Sequence, residues 1–294
     1  DTERDSASLA FRSLTDPKAL DPALAAFADL LTHPAFPDVE FKHQKQQALN
    51  GIKHNEQSPS YQADQLFFET LYGTHPYAHP ILGTTASVNA LTRDDLQRFY
   101  RTYYVANNAV IAIVGAIDRP TAMRIVNTLV KDLSSGTAAT ALPLAMPLTK
   151  EITRLVPFPS HQTHLRLGQV GVTLQDPDYF ALRVGNQILG GDELISRLAT
   201  DIREKNGLAY HVSSYFMPLT ARGPVSITVK TEAQKTQKAR TLTETILRQF
   251  VQSGPQQKEL TTAQRDITSG FLLRLKNNAA VTHNLSFMAF YHLP

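Results

Sequence analysis

The chain has 294 residues, more than one typical hydrophobic core accommodates, and its length therefore predicts two domains. Its 42% hydrophobic and 19% charged residues are typical of a globular protein, and a net charge of +3 without a run of Lys or Arg excludes a nucleic-acid-binding footprint. The absence of cysteine excludes disulfides and thiolate metal sites, and the longest apolar run, residues 109–117, is too short to span a bilayer.

Capping residues and apolar spacing predict mostly helices in the first half of the chain. Asp21 followed by Pro22, Thr92, and Asp118 followed by Pro120 are typical helix starts. The expected helices cover residues 22–31, 38–55, 60–71, 92–104 and 118–133. We expect strands over 7–14, where apolar residues alternate weakly, and over 109–115, where Val, Ile and Ala form a buried-type run.

The second half begins after a segment rich in Ser, Thr, Ala and Pro, which is typical of a linker. We expect strands over 151–156, 164–172, 208–216 and 225–230, and helices over 179–189, 192–206, 233–252 and 258–275. The predicted organisation is a first domain over 1–133, a linker over 134–150 and a second domain over 151–294.

The two halves share a weak internal repeat. Glu40-Phe41 matches Glu259-Leu260, and Gly51-Ile52 matches Gly270-Phe271, both with an offset of 219 positions. The order strand, helix, break, helix, helix recurs with the same offset, which predicts two homologous domains. On this interpretation the first domain begins and the second ends beyond the given sequence, so both domains are expected to be truncated here.

Residues 190–210 form the most informative stretch. Apolar residues at helical spacing predict a helix over 192–206, namely Leu194, Ile195, Leu198 and Ile202. Asn206-Gly207 ends it, because glycine adopts the left-handed cap conformation without strain. Arg203 then lies at a helix end and Tyr210 in a strand, with a tight turn between them. Such a corner is suited to holding a peptide carbonyl, although ordinary capping by Arg203 and packing by Tyr210 explain the same pattern.

Familiar catalytic motifs are absent from the sequence. It contains no H-E-x-x-H, H-x-x-E-H, G-x-S-x-G, P-loop or G-x-G-x-x-G. His43 and His54 share a helix face but stand about 16 Å apart along the axis, too far to share an ion. The residues alone therefore predict two related domains with helices and strands, and no complete catalytic centre.

The stretch 190–210 resembles the second-domain signature of the pitrilysin-like zinc peptidases, the group that includes mitochondrial processing peptidase. The likeness rests on Gly190-Gly191, Ser196-Arg197-Leu198 and the run from Arg203 to Tyr210. Further segments similar to this family follow the same order along the chain: Phe36-Pro37 and residues 75–84, 91–96 and 103–115. The resemblance therefore covers nearly the whole chain.

The resemblance implies an α+β fold of two homologous domains, each with a mixed β-sheet covered on one face by helices. In active members of the family two such halves enclose the substrate. One half carries H-x-x-E-H and a distant Glu as third zinc ligand, and the other supplies an Arg and a Tyr. Carried over, Arg203 anchors a substrate carbonyl through a charge-assisted hydrogen bond. Tyr210 donates to the scissile carbonyl oxygen as negative charge develops on it.

The sequence departs from the family pattern at the third zinc ligand. That Glu belongs in the helix after Phe36-Pro37, where this chain has Asn50-Gly51-Ile52. Glycine has no ligating side chain and asparagine is a poor zinc ligand. The resemblance therefore implies no metal site and no cofactor in this chain, with zinc in a catalytic partner.

These considerations predict a non-catalytic, substrate-binding subunit of a two-component zinc metallopeptidase that acts on unfolded peptides. Its expected partner is a homologous zinc-bearing subunit, forming a heterodimer, and its expected location is the bacterial periplasm, by analogy with two-subunit members of the family. One alternative is a zinc metalloendopeptidase whose metal motif lies in a preceding segment. The other is a structural or assembly subunit with the peptidase fold and no proteolytic role.

Overall fold

The computed structural model describes residues 1–293, which divide into two compact units. Unit 1 contains Asp1–Ile52, Ile81–Ala141 and the chain from Leu273 onward, and unit 2 contains Lys53–Pro80 and Leu142–Leu272. The described residues form ten α-helices and one three-stranded antiparallel sheet. The predicted α+β class is therefore confirmed.

Eight of the ten α-helices in residues 1–293 correspond to predicted helices with shifted ends, and the helices at Thr85–Ala90 and Asn278–Phe290 were not predicted. In chain order the helices are α1 (Pro17–Thr32), α2 (Asp38–Glu56), α3 (Pro59–Tyr72), α4 (Thr85–Ala90), α5 (Arg93–Tyr103), α6 (Arg119–Val130), α7 (Tyr179–Asn186), α8 (Thr236–Ser253), α9 (Gln257–Leu273) and α10 (Asn278–Phe290). In unit 1, α1 packs against α6 through Leu20, Leu24, Ala28, Ile125 and Leu129.

The helix starts show which capping signals the chain uses. Thr92 and Asp95 cap each other's backbone N–H groups at the start of α5, and the Asp118 carboxylate accepts a hydrogen bond from the Thr121 N–H at the start of α6. The predicted start of α1 at Pro22 is wrong. Asp16 followed by Pro17 provides the same cap-and-proline signal earlier in the chain, and Pro22 lies inside the helix.

The sheet of unit 2 has a polar face and an apolar face. Its strands are β1 (Gln162–Val170), β2 (His211–Phe216) and β3 (Pro224–Glu232), in the spatial order β1-β3-β2. Leucine and β-branched residues on one face pack with Ala239 and Ile246 of α8: Leu165, Leu167, Val212, Ile227 and Val229. Helix α3 contacts β1 on the other face through Arg166, so helical cover is not confined to one face as predicted. Alternate residues of each strand form the polar face.

Three predicted strands are wrong. Residues 7–14, 109–115 and 151–156 are not strands, so the structure has no sheet in the described part of unit 1, and the sheet it has is antiparallel rather than mixed. A strand is stable only when a neighbour accepts its hydrogen bonds, and no ladder forms beside these segments in the described chain. Val110 and Ile111, expected to be buried, are 42% and 39% exposed.

The internal repeat is visible in the helices. The starts of α1 and α8, of α2 and α9, and of α3 and α10 are each separated by 219 positions. The third helix of each set belongs to the unit formed mainly by the other half of the chain, because α3 lies in unit 2 and α10 in unit 1. The compact units thus follow packing, whereas the boundaries 1–133 and 151–294 follow the sequence repeat and stay a prediction.

Candidate substrate-binding corner

The helix that carries Arg203 is shorter than predicted, and most of it is π-helical. Helical structure starts at Arg197 and continues as a π-helical segment, Ala199–Lys205. Before it, the Asp192 carboxylate accepts hydrogen bonds from the N–H groups of Leu194 and Ile195 at 2.8 and 3.0 Å. This turn leaves Leu194 and Ile195 exposed, so the predicted apolar stripe is wrong at these two positions and correct at Leu198 and Ile202, which are fully buried.

Gly207 ends the π-helical segment in the predicted left-handed conformation, with φ of 55°. The Gly207 N–H donates to the Arg203 carbonyl at 3.1 Å, and the Leu208 N–H donates to the Ile202 carbonyl at 2.9 Å. The first of these bonds is that of the αL cap motif, and the second spans six residues and closes the wider turn of the π-helical segment, so together they fix the direction in which the chain leaves it. We call residues 203–210 the corner. Its backbone is held by hydrogen bonds and by the buried Leu208 side chain.

Arg203 lies at the helical end of the corner. Its side chain is 26% exposed, and its Nε donates to Glu204 Oε1 at 2.9 Å. Leu198, Ala199 and Ile202 on the same segment are completely buried, so the backbone that carries Arg203 is anchored in the core of unit 2.

Tyr210 lies at the strand end of the corner. Its N–H donates to the Lys230 carbonyl at 2.9 Å, which fixes its backbone directly before β2 begins. Its ring is largely exposed, and its hydroxyl donates to Glu232 Oε1 at 3.2 Å. The corner therefore carries a guanidinium and a phenol that bond to two different carboxylates, those of Glu204 and Glu232.

Lys235 supports the partner of Tyr210. Its ammonium donates to Glu232 Oε1 at 2.9 Å and to the Gly207 carbonyl at 3.4 Å. The hydrogen bonds from Lys235 and Tyr210 hold the pKa of the Glu232 carboxyl below its usual range, and Glu232 in turn raises the pKa of Lys235. Glu232 is thus a carboxylate at neutral pH and accepts the Tyr210 hydroxyl proton. The sequence analysis missed this network, because it depends on the sheet register.

Arg197, at the start of the helical segment, forms an ion pair with Glu259 of α9. Its Nε and Nη2 donate to the two oxygens of Glu259 at 2.7 Å each, and Nη2 also donates to the Gly254 carbonyl at 3.0 Å. The guanidinium stacks over the Phe250 ring, with 5.0 Å to the ring centroid. The hydrogen bonds from Arg197 lower the pKa of the Glu259 carboxyl. A bidentate pair of this kind fixes orientation as well as distance.

The position expected for a third zinc ligand lies on α2. Asn50 Oδ1 accepts a hydrogen bond from Gln46 Nε2 at 3.0 Å. A Cβ atom at Gly51 would meet only the Leu82 side chain at 3.9 Å, so the structure leaves space for a side chain that this sequence does not have. Asparagine and glycine do not fit zinc, and residues 1–293 contain no group of three or more His, Asp or Glu side chains that could hold a metal ion.

The polar face of the sheet carries a row of residues that the sequence analysis did not predict. His164 of β1 and His211 of β2 both lie opposite Lys230 of the central strand β3. A signal was present in the sequence, because His164 and Arg166 alternate with Leu165 and Leu167 in β1. Only the register brings His164 and His211 beside the same lysine.

Comparison with known proteins agrees with the fold. Residues 90–267 match the model of the peptidase M16 inactive domain, and residues 1–85 match that of the insulinase family, peptidase family M16. The chain belongs to the M16 peptidase family. The group named from the corner motif in the sequence analysis is therefore confirmed.

The relatives include bacterial proteins named as uncharacterized zinc proteases. One from Bacillus subtilis is 29% identical over 270 residues, covering 89% of this chain and 63% of the relative, and one from Streptomyces coelicolor is 32% identical over 199 residues, covering 66% and 43%. The chain thus spans about half the length of these relatives. A crystal structure of a peptidase M16 inactive domain from Pseudomonas fluorescens is 36% identical, with a TM-score of 0.91 over 96% of this chain and 67% of that chain. Among the helices of residues 1–293, none combines the length and the hydropathy that a bilayer span requires.

Proposed function

We propose that this chain is the non-catalytic, substrate-binding half of a two-component M16 peptidase. Arg203 holds a carbonyl of an unfolded peptide, and Tyr210 donates to the carbonyl at which a partner's zinc-bearing half performs hydrolysis. The homologous zinc-bearing partner and a periplasmic location are parts of the same proposal, by analogy with two-subunit members of the family.

The corner is the observation that carries this proposal. The left-handed cap at Gly207 connects a helical segment buried in the core to a strand of the sheet, so the backbone at Arg203 and at Tyr210 is fixed. Both side chains reach solvent. Donors that are oriented before the substrate arrives stabilise developing negative charge without a further reorganisation cost.

Both donors already bond to carboxylates that a substrate carbonyl can replace. Arg203 donates to Glu204 and Tyr210 donates to Glu232, and both carboxylates lie at the surface. Water and salt weaken such exposed pairs. A peptide carbonyl therefore competes for these donors with little loss, and the carboxylates keep both side chains near the corner until it binds.

The test uses the full-length polypeptide together with its zinc-bearing partner. Tyr210→Phe and Arg203→Gln are each expected to lower kcat for an unfolded peptide by about 100-fold, because each removes a donor to a carbonyl oxygen. The melting temperature should change little, since both groups are at the surface. Tyr215→Phe is the matched control, because Tyr215 is an exposed tyrosine on β2, the strand that follows Tyr210. Unchanged turnover in both corner variants would remove the pair from the mechanism.

A further inference from the structure

One lysine and two histidines share one row on the polar face of the sheet. The register places His164 and His211 on either side of Lys230 on the central strand. Side chains directly opposite each other in an antiparallel sheet lie on the same face and within contact range. All three residues are partly buried, so their side chains pack against the protein and are not fully solvated.

Lys230 lacks a counter-charge of its own. In the described chain its ammonium donates no hydrogen bond and forms no ion pair. The neighbouring charges have other partners: Arg166 Nη2 donates to Asp64 Oδ2 and to Ser60 Oγ of α3, each at 3.0 Å, and Glu232 binds Lys235 and Tyr210. A partly buried cation without a partner is costly, which makes this position receptive to an anion.

The two histidines on either side of Lys230 differ in their hydrogen bonds. His164 Nδ1 is buried and has no hydrogen-bond partner among the described residues, so the tautomer with the proton on Nε2 avoids a buried, unpaired N–H. The Nε2 of His211 lies 3.1 Å from Ser213 Oγ. Burial, and then the charge of Lys230, lower the pKa of both histidines, so both are neutral near pH 7.

A shared metal ion does not fit this row. The strands β1 and β2 are separated by β3, so the two histidine backbones stand about 10 Å apart. The Lys230 ammonium lies between them and repels a cation. The row matches a carboxylate instead, which accepts several hydrogen bonds and brings one negative charge.

We propose that the row His164, Lys230 and His211 binds a carboxylate group of the peptide held at the corner. This proposal rests on the proposed function, and it makes the preferred substrate an acidic peptide. The carboxylate comes from an Asp or Glu side chain or from the peptide C-terminus, and both present the same chemistry to the row.

The test measures direct binding of short, unstructured labelled peptides to this chain by fluorescence anisotropy. Four peptides of one sequence carry Glu or Gln at one internal position, each with a free or an amidated C-terminus. We expect the anionic forms to bind about tenfold more tightly than the fully neutral peptide, because charge-assisted hydrogen bonds are lost in the latter. Comparing Glu with Gln tests a side-chain carboxylate, and comparing the free with the amidated C-terminus tests the terminal carboxylate.

Variants separate the row from general charge attraction. Lys230→Met should abolish the acid preference, while Lys238→Met, an exposed lysine on α8, should leave it unchanged. Since Lys230 has no counter-ion, Lys230→Met should melt at the same or a higher temperature than the parent. His164→Gln, which keeps a donor, should retain part of the preference. A lower melting temperature of Lys230→Met would mean that the lysine has a structural partner, and would overturn the proposal.

The pH dependence gives a readout independent of the variants. His164 faces Lys230, Arg166 and Asp64, and His211 faces Lys230, Glu193, Arg166 and Arg203. A bound carboxylate adds negative charge and raises both histidine pKa values, so binding takes up protons. The affinity for acidic peptides should therefore rise from about pH 7.5 to about pH 5.5, and NMR titration of the two imidazoles should show the upward shifts.

The outcomes distinguish the two proposals. Equal binding of all four peptides would overturn the carboxylate site and leave the proposed function intact. Binding of none of them to the folded chain would count against the proposed function and the carboxylate site together. An acid preference that persists in Lys230→Met would assign the carboxylate to another surface and overturn the row.

Discussion

At the scale of single residues, Gly207 determines the geometry of the corner. Its φ of 55° lies in the left-handed region, and a Cβ atom at this position would meet no atom within 4 Å. The requirement for glycine here is therefore conformational and not steric. A substitution at position 207 therefore tests backbone strain alone, without steric clashes.

Gly207→Ala should lower the free energy of unfolding by about 1 kcal/mol, because an L side chain in the left-handed region is strained. Gly270→Ala is the matched control: Gly270 lies inside α9 with equal space around its Cβ position. There alanine should raise the stability by about 0.5–1 kcal/mol, because it is the better helix former. Chemical denaturation of both variants gives the comparison, and a change of the same sign in both would contradict the assignment.

At the scale of elements, the Arg197–Glu259 pair joins the π-helical segment to α9. Both side chains are mostly buried, with 21% and 28% exposed. The usual pKa of a glutamate, 4.5, is lowered in the folded state by the hydrogen bonds from Arg197. The pair therefore contributes its full stability above the unfolded pKa and loses it as the pH falls through the folded value.

Arg197→Met should cost roughly 1–3 kcal/mol at pH 7, since two hydrogen bonds to a charged group are lost. The difference from the parent chain should shrink below about pH 4.5, where Glu259 becomes protonated in the unfolded chain. Arg265→Met, in an exposed pair on the same helix, should cost less than about 0.5 kcal/mol. Denaturation curves between pH 7 and acid conditions measure both effects. A pH-independent cost of Arg197→Met would exclude the charge as its origin.

The elements also show what the sequence could predict. The starts of α5 and α6 and the end at Gly207 depend on residues within one turn of each other, and these predictions are confirmed. The strand over 109–115 depends on a distant neighbour that the sequence does not reveal. The same reason hid the row beside Lys230, since its members come together only through the register of three strands.

At the scale of the whole molecule, the helices α3 and α10 each complete the unit formed mainly by the other half of the chain. In unit 2, the Asp64 carboxylate and the Ser60 hydroxyl of α3 accept hydrogen bonds from Arg166 of β1. In unit 1, Tyr291 directly after α10 donates to Asp5. Each unit thus depends on a segment from the distant part of the sequence.

A protease site placed after Ala141 should therefore yield two fragments that stay together. We expect a single peak in size-exclusion chromatography after complete cleavage, because Leu71 and Tyr72 of α3 are buried in unit 2 and Tyr291, directly after α10, is buried in unit 1. Each fragment expressed alone should be unstable and recover structure when mixed with the other. Separate elution of the cleaved fragments, each with intact helicity, would contradict this.

The exchange of α3 and α10 also limits how such a tandem protein can evolve. A gene shortened to one repeat would encode an incomplete unit, because the helix supplied by the other repeat would be missing. The repeat's own exchanged helix would have no unit to pack against. Two repeats joined end to end without this exchange would each contain all the helices of their own unit, and each could fold alone. With α3 and α10 exchanged, the half that carries Asn50 and Gly51 supplies a helix to the fold of unit 2, a contribution that requires no zinc ligand.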